Sequence, residues 1–305
     1  MANTNTNLSQ QMLQDEVLPA LKLALLPLNA FSLSIQNAPK NVGDKVTVDI
    51  AAAASAAKYT TTFETGDTTN VGTDVTMEAP DFSSFYINPN LEPAARQSRF
   101  LAKAREAAYA VGKLVMQDVL GNFVAANIGA VDGTDTKTVT AVNYDSDDQA
   151  DLITYLRAKG VSGPMSMIHT LPYTGNLMKD TAIKAADSYG GNTLVSTGEL
   201  PPIYGTRQFY TDAFPAGVLA ENTGVIGTGS ETAAIAIAMP NIGELGTDLD
   251  AAAGVRFTTV QDQITGIGFI LREWVNTSTG AHWGSVYISK GQSFLRDSAV
   301  RIISA

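Results

Sequence analysis

The most constraining stretch of this 305-residue chain is the run from Pro89 to Asn127, which predicts one long, slim helix. Asn90 can cap it, Glu92 complements its dipole, and Pro93 suits the first turn, where a missing N–H leaves nothing unpaired. Phe100, Ala104, Ala108, Val111 and Val115 recur at helical spacing and form one apolar stripe. Ala94, Ala95, Ala102, Ala107 and Ala110 favour the helix and keep it narrow. With Gly121 as its stop it spans about 25 to 30 residues, roughly 40 Å and more than twice the average length. A rod of this size needs other elements laid along its stripe.

Upstream, Met1 to Ser9 is too polar to bury apolar area and reads as a mobile tip. Met12, Leu13, Val17, Leu18, Leu21, Leu25 and Leu28 then recur at helical spacing, interrupted by Pro19 and Pro27. The segment fits an arm docking on another chain and equally a short helix packing on its own domain. Lys45 to Ile50 alternates, with Val46, Val48 and Ile50 on one face, as a half-buried strand does. Lys58 to Met77 is rich in Thr and turn formers, with Tyr59, Phe63, Val71, Val75 and Met77 as its larger apolar side chains. Two strands joined here make a long hairpin with little core of its own, and such a ribbon is marginal in water until another surface covers it.

Downstream, Gly129 to Tyr144 reads as loop and short strand, and Ser146 to Lys159 as a helix with Leu152, Ile153 and Leu156 inward, capped by Asp147 or Asp148. Met165 to Tyr210 alternates short strands with a helix near Leu177 to Ala186, and Pro201-Pro202 and Gly224 to Gly229 punctuate the chain around its end and beyond. This middle region reads as an α+β unit. Strands return at Val255 to Val260, Ile264 to Val275 and Gly284 to Ser289, the last two forming an antiparallel hairpin. A final strand carries Val300 and Ile302.

Groups able to do chemistry are sparse. The chain has no cysteine, which excludes disulfides and thiolate chemistry, and its histidines, His169 and His282, are far apart and without metal-ligand spacing. Gly224 to Thr232 lacks the lysine of a phosphate loop and the third glycine of a dinucleotide fingerprint. Asp145, Asp147, Asp148 and Asp151 lack the glycine and closing glutamate of a calcium loop. No enzyme activity, cofactor or metal is expected. The net charge of -10 and pI of about 4.6 argue against general affinity for nucleic acid. No secretory signal or membrane-length apolar run occurs, so synthesis in the cytoplasm is expected.

The order of parts, more than any one motif, resembles the major capsid proteins of tailed bacteriophages, the α+β Hong Kong 97-type fold. The likeness rests on Val46 to Glu78 as extended β-hairpin loop, Pro93 to Gln117 as spine helix, Gly163 to Asp180 with Gly191 to Gly205 in the axial domain, and Thr265 to Gly291 as the long peripheral hairpin. It implies an N-terminal arm over 1–40, the extended loop over 41–80, a peripheral domain with the spine helix over 81–145, an axial domain over 146–253, and peripheral return strands over 254–305. It also implies a virion protein whose copies form the pentamers and hexamers of an icosahedral shell around double-stranded DNA. With only about forty residues before the first strand, no large fused scaffolding domain is expected, and the expected partners are a separate scaffolding protein, a portal and a decoration protein. Leu13, Leu21, Val46, Val48, Tyr59, Phe63, Val71 and Met77 are the expected contacts between copies. An encapsulin-type compartment subunit shares the fold and is the nearest alternative, with a bacterial surface protein behind it.

Overall fold

The computed structural model describes residues 6–36, 41–50, 71–88, 96–128, 136–161, 163–184, 200–214, 223–227, 233–240, 255–261, 267–295 and 298–303. The first helix, α1 (Thr6–Leu25), begins inside the segment expected to be a mobile tip, and it continues through Pro19. Proline removes a hydrogen bond to the carbonyl four residues earlier. Pro19 and Asp15 are both outside the core, so water can take the vacated position. Pro27 instead falls in the 3-10 turn Leu26–Ala30, which leads into β1 (Ser32–Gln36). β2 (Lys45–Ile50) and β3 (Val71–Thr76) pair antiparallel with Val46 opposite Val75, which makes them the base of a hairpin.

After β4 (Asp81–Ile87) comes the long helix, α2 (Arg96–Leu120). Its expected start at Asn90 to Pro93 lies outside the described residues. Its end is as expected: the Gly121 N–H bonds the Gln117 carbonyl at 2.9 Å, and the chain turns. All five residues of the predicted stripe, Phe100 to Val115, are buried. On one side they meet α1, whose Val17, Leu21 and Leu25 join the same core. α1 and α2 approach closely enough that a Cβ built on Gly112 would stand 2.6 Å from the Ala24 Cβ. The arm segment therefore packs on its own chain.

A short helix, α3 (Ala125–Ile128), and β5 (Thr136–Thr138) lead to α4 (Ser146–Ala158). Asp145, rather than the expected Asp147 or Asp148, caps α4 by accepting from the Asp147 and Asp148 N–H groups, and the Asp148 carboxylate accepts from the Asp145 N–H. This reciprocal box satisfies three orphan donors, and Lys137 pairs with both Asp148 and Asp151. Residues 181–184 are helical, within the helix expected near Leu177 to Ala186, and β6 (Met165–Thr170) runs straight into a separate, earlier helix, α5 (Leu171–Leu177). The cause is Pro172, which ends a strand but fits the first turn of a helix.

β7 (Arg207–Thr211), β8 (Thr223–Gly227) and β9 (Ile235–Pro240) follow, then β10 (Arg256–Gln261), β11 (Gly268–Val275), β12 (His282–Ile288), β13 (Gly291–Phe294) and β14 (Ala299–Ile303). An antiparallel sheet in the order β10-β11-β12-β4 lays one face on α2 through Phe85, Leu271 and Val286. A five-stranded sheet, β5-β14-β8-β6-β7, packs Met167, Val300 and Ile302 against Leu152 and Leu156 of α4 and Tyr173 of α5. A third sheet, β1-β9-β13, joins residues far apart in sequence. The partition differs from a division at 253/254: β14 lies inside the mid-chain sheet, while β9 pairs with β1 and β13.

Candidate assembly interface

The hairpin base is fixed by a division of labour within β9. Along Ile235–Pro240 large and small side chains alternate: Ile235, Ile237 and Met239 enter the main core, and Ala236 and Ala238 face Val46, Val75 and Met77. The small face lets the hairpin approach closely. Gly291 has the same role on β13: a Cβ there would lie 2.5 Å from the Thr76 carbonyl oxygen, and the glycine forms an isolated bridge with Met77. The hairpin base is thus seated on its own chain at Val46, Val75 and Met77, and residues 51–70 lie outside the described residues.

One buried cation locks the seat. Lys290 is fully buried, and its Nζ lies 2.6 Å from Asp118 Oδ2 on α2, 2.9 Å from Asp81 Oδ2 at the start of β4, and 3.2 Å from Glu78 Oε2. Burial pushes its pKa down, but hydrogen bonds to Asp118 and Asp81 outweigh this and leave it above the usual lysine value. It stays an ammonium and not a nucleophile. The Glu78 N–H also donates to the Lys290 carbonyl at 2.8 Å. Hairpin, long helix and sheet therefore meet at one residue.

The sheet face turned away from α2 carries an aromatic ladder. Across β4, β12 and β11, Tyr86 stacks on Trp283 at 4.7 Å and Trp283 on Trp274 at 5.8 Å; the Arg272 guanidinium lies 5.2 Å from the Trp274 ring and 5.5 Å from that of Phe257. Tyr86 and Phe82 remain exposed. Trp, Tyr and Arg concentrated on a partly exposed face are the composition of interface centres.

The residues singled out in the sequence separate into three groups. Leu21, Val46 and Met77 are buried within the chain itself, Leu21 against α2 and the other two beneath the β9 alanines. Val48 is half-buried at the outer end of the same seat. Leu13 lies on α1 and Val71 opens β3, with side chains outside the described residues, as are Tyr59 and Phe63 entirely. What sequence reading missed is Lys290 with its three carboxylates and the Tyr86-Trp283-Trp274 ladder. The adjacency of Trp283 to the turn before it was the one local signal.

The two histidines are structural. His169 is fully buried on β6, its Nε2 2.8 Å from Gln208 Oε1, and burial pushes its pKa down to about 4. His282 stacks on Phe100 of α2 at 4.4 Å. Among the described residues no group of three or more His, Cys, Asp or Glu could hold a metal ion, and no helix is long and apolar enough to cross a membrane.

No protein-family model matches the chain, and no curated protein matches it. Solved structures do. The capsid structure of cyanophage P-SCSP1u superposes with a TM-score of 0.53 at 10% identity, covering 89% of this chain and 86% of the other. The capsid of Ralstonia phage GP4 gives 0.53 at 12% identity, over 90% and 89%. A structure from Microbacterium phage Oxtober96 gives 0.53 at 12% identity, over 91% and 90%. At such identities the likeness carries the fold, and activity has to be argued from the molecule.

Proposed function

We infer that this chain, which has the α+β fold of tailed-phage capsid proteins, is the major subunit of a phage head, binding copies of itself into an icosahedral shell around double-stranded DNA. The observation that carries this reading is the hairpin. Its base is fastened to the rest of the chain by Lys290 and the β9 alanines, and the twenty residues of sequence between its two strands, 51 to 70, hold few large apolar side chains. A firm seat and a long intervening sequence with little core of its own suit an element that reaches a neighbour, because a two-stranded ribbon gains stability only when another surface covers it.

The contacts between copies then centre on Tyr59, Phe63 and Val71 rather than on Leu21, Val46 and Met77, which serve the subunit's own core. The outer sheet face with Tyr86, Trp283 and Trp274 is a second candidate contact surface. The acidic balance of 30 Asp and Glu against 20 Lys and Arg suits a wall that contains DNA without gripping it. A separate scaffolding protein, a portal and a decoration protein complete the reading, and the virion is where the assembled protein resides. The phage origin of the matching structures favours DNA over protein cargo as the content, the encapsulin alternative being the cargo case.

Electron microscopy of the purified protein is the direct test, alongside a variant with residues 51–70 replaced by Asn-Gly. Closed or tubular particles from the parent, and a folded subunit without particles from the variant, are expected. Normal particles from the variant would refute the role given to the hairpin.

A further inference from the structure

Between the two prolines at 201 and 202 and the strand β7, the chain makes a two-residue reversal at Tyr204-Gly205. The Thr206 N–H donates to the Ile203 carbonyl at 2.9 Å, Ile203 and Thr206 form an isolated antiparallel bridge, and φ is +49° at Tyr204 and +77° at Gly205. Positive φ at both central positions is what the tightest hairpin loop demands, and Asn-Gly is the pair that meets it at least cost. Tyr204 is the one non-glycine residue with positive φ among the described residues. For a residue with a bulky side chain this conformation costs about 1 to 2 kcal/mol.

The turn itself is rigidly built. The Thr206 hydroxyl donates to the Ile203 carbonyl at 2.6 Å and accepts from the Gln208 amide at 2.7 Å, and Gln208 in turn reaches the buried His169. All of these bonds would survive with asparagine or glycine at 204. The tyrosine makes no hydrogen bond or ring contact with its side chain among the described residues, and the residue is 54% exposed. A strained backbone held in place by the residues around it, and carrying an exposed aromatic, marks a functional contact. Tyrosine supplies a large amphipathic area with little rotamer entropy to lose, which is why it recurs as an interface anchor.

We propose that Tyr204 is an anchor between copies of this chain, its ring held out on a strained turn and buried against a second copy on assembly. The choice of a second copy rests on the shell-subunit reading above. β7, which follows the turn directly, is the outermost described strand of its sheet and also exposes Tyr210, so the contact has room to extend along that edge.

Three variants test it: Tyr204→Asn, Tyr204→Gly and Tyr204→Phe. Relief of strain predicts that the unassembled Asn variant melts about 2 °C above the parent. Loss of the anchor predicts that the same variant needs about fivefold or more protein to form particles, as read by light scattering and electron microscopy. The Gly variant should share the assembly defect, and the Phe variant, which keeps the ring, should assemble near the parent concentration. Opposite signs in stability and assembly from one substitution are the signature, since a merely structural residue would lose both together. Asn and Gly variants that assemble at the parent's concentration, or melt below it, overturn the proposal. If the parent itself forms no particles, the shell-subunit reading falls first, and the anchor falls with it.

Discussion

Replacing Lys290 by methionine keeps the aliphatic stem and removes the charge from the point where Glu78, Asp81 and Asp118 converge. A gross Coulomb energy of about 4 kcal/mol for one pair at 4 Å, at an effective dielectric constant of 20, overstates each contact because burying the ammonium costs several kcal/mol. Removing one partner of a fully buried pair costs about 3 to 5 kcal/mol. Here the Asp118 and Glu78 side chains are 37% and 43% exposed and can rehydrate, whereas Asp81, at 15%, cannot do so freely. The expected loss for Lys290→Met is therefore about 2 to 3 kcal/mol. Urea denaturation of the unassembled subunit would read it through the fluorescence of Trp274 and Trp283 as a lower midpoint at unchanged slope. Combined with Asp118→Asn, the double-mutant cycle should give a coupling of about 1 to 2 kcal/mol. Because the Lys290 pKa is raised on folding, its contribution is present below its ordinary value of 10.5 and is lost as pH rises through the higher folded value. A Lys290→Met subunit within about 0.5 kcal/mol of the parent would refute the idea that this cation fastens hairpin, helix and sheet together.

Two further outcomes concern stability. His169 titrates at about 4 when folded against 6.5 when free, so the protein should keep its full stability above pH 6.5 and lose about 3 kcal/mol as pH falls from 6.5 to 4. His169→Gln should flatten that part of the pH profile, and an unchanged slope would count against the assignment. Gly112→Ala should gain about 1 kcal/mol in helix propensity yet lose more, because its Cβ would lie 2.6 Å from Ala24, giving a net destabilisation of about 1 kcal/mol in chemical denaturation. Ala24→Gly in the same background should restore the close approach of α1 to α2.

Features with local grammar were legible in the sequence. The Phe100 to Val115 stripe, the alternation of Lys45 to Ile50 and the Gly121 stop each depend on residues within a turn or two, and the structure has all three. Single-residue competition blurred the boundaries. Asp145 outcompeted its neighbours for the cap, and Pro172 could end β6 and begin α5 at once. The Lys290 cluster was hidden for a different reason: its carboxylates stand 172, 209 and 212 positions away in the chain. The destination of α1 was likewise undecided, because an apolar helical face fits its own α2 as well as a neighbour's. Tyr204 gave no sign either, since tyrosine is a rare occupant of a position that asparagine or glycine would announce.

The place of β14 bears on how the protein is made. This strand, residues 299 to 303, pairs with β5 on one side and β8 on the other, and so closes a sheet whose other members were synthesised long before. A nascent chain that has emerged as far as β13 still lacks an inner strand of that sheet, along with Val300 and Ile302 of the core beneath α4. Folding of the region must therefore wait until β14 has cleared the ribosome, and a chain terminated before that point would have a gap where a strand belongs. Only chains carried through β14 can complete this sheet and the core beneath α4.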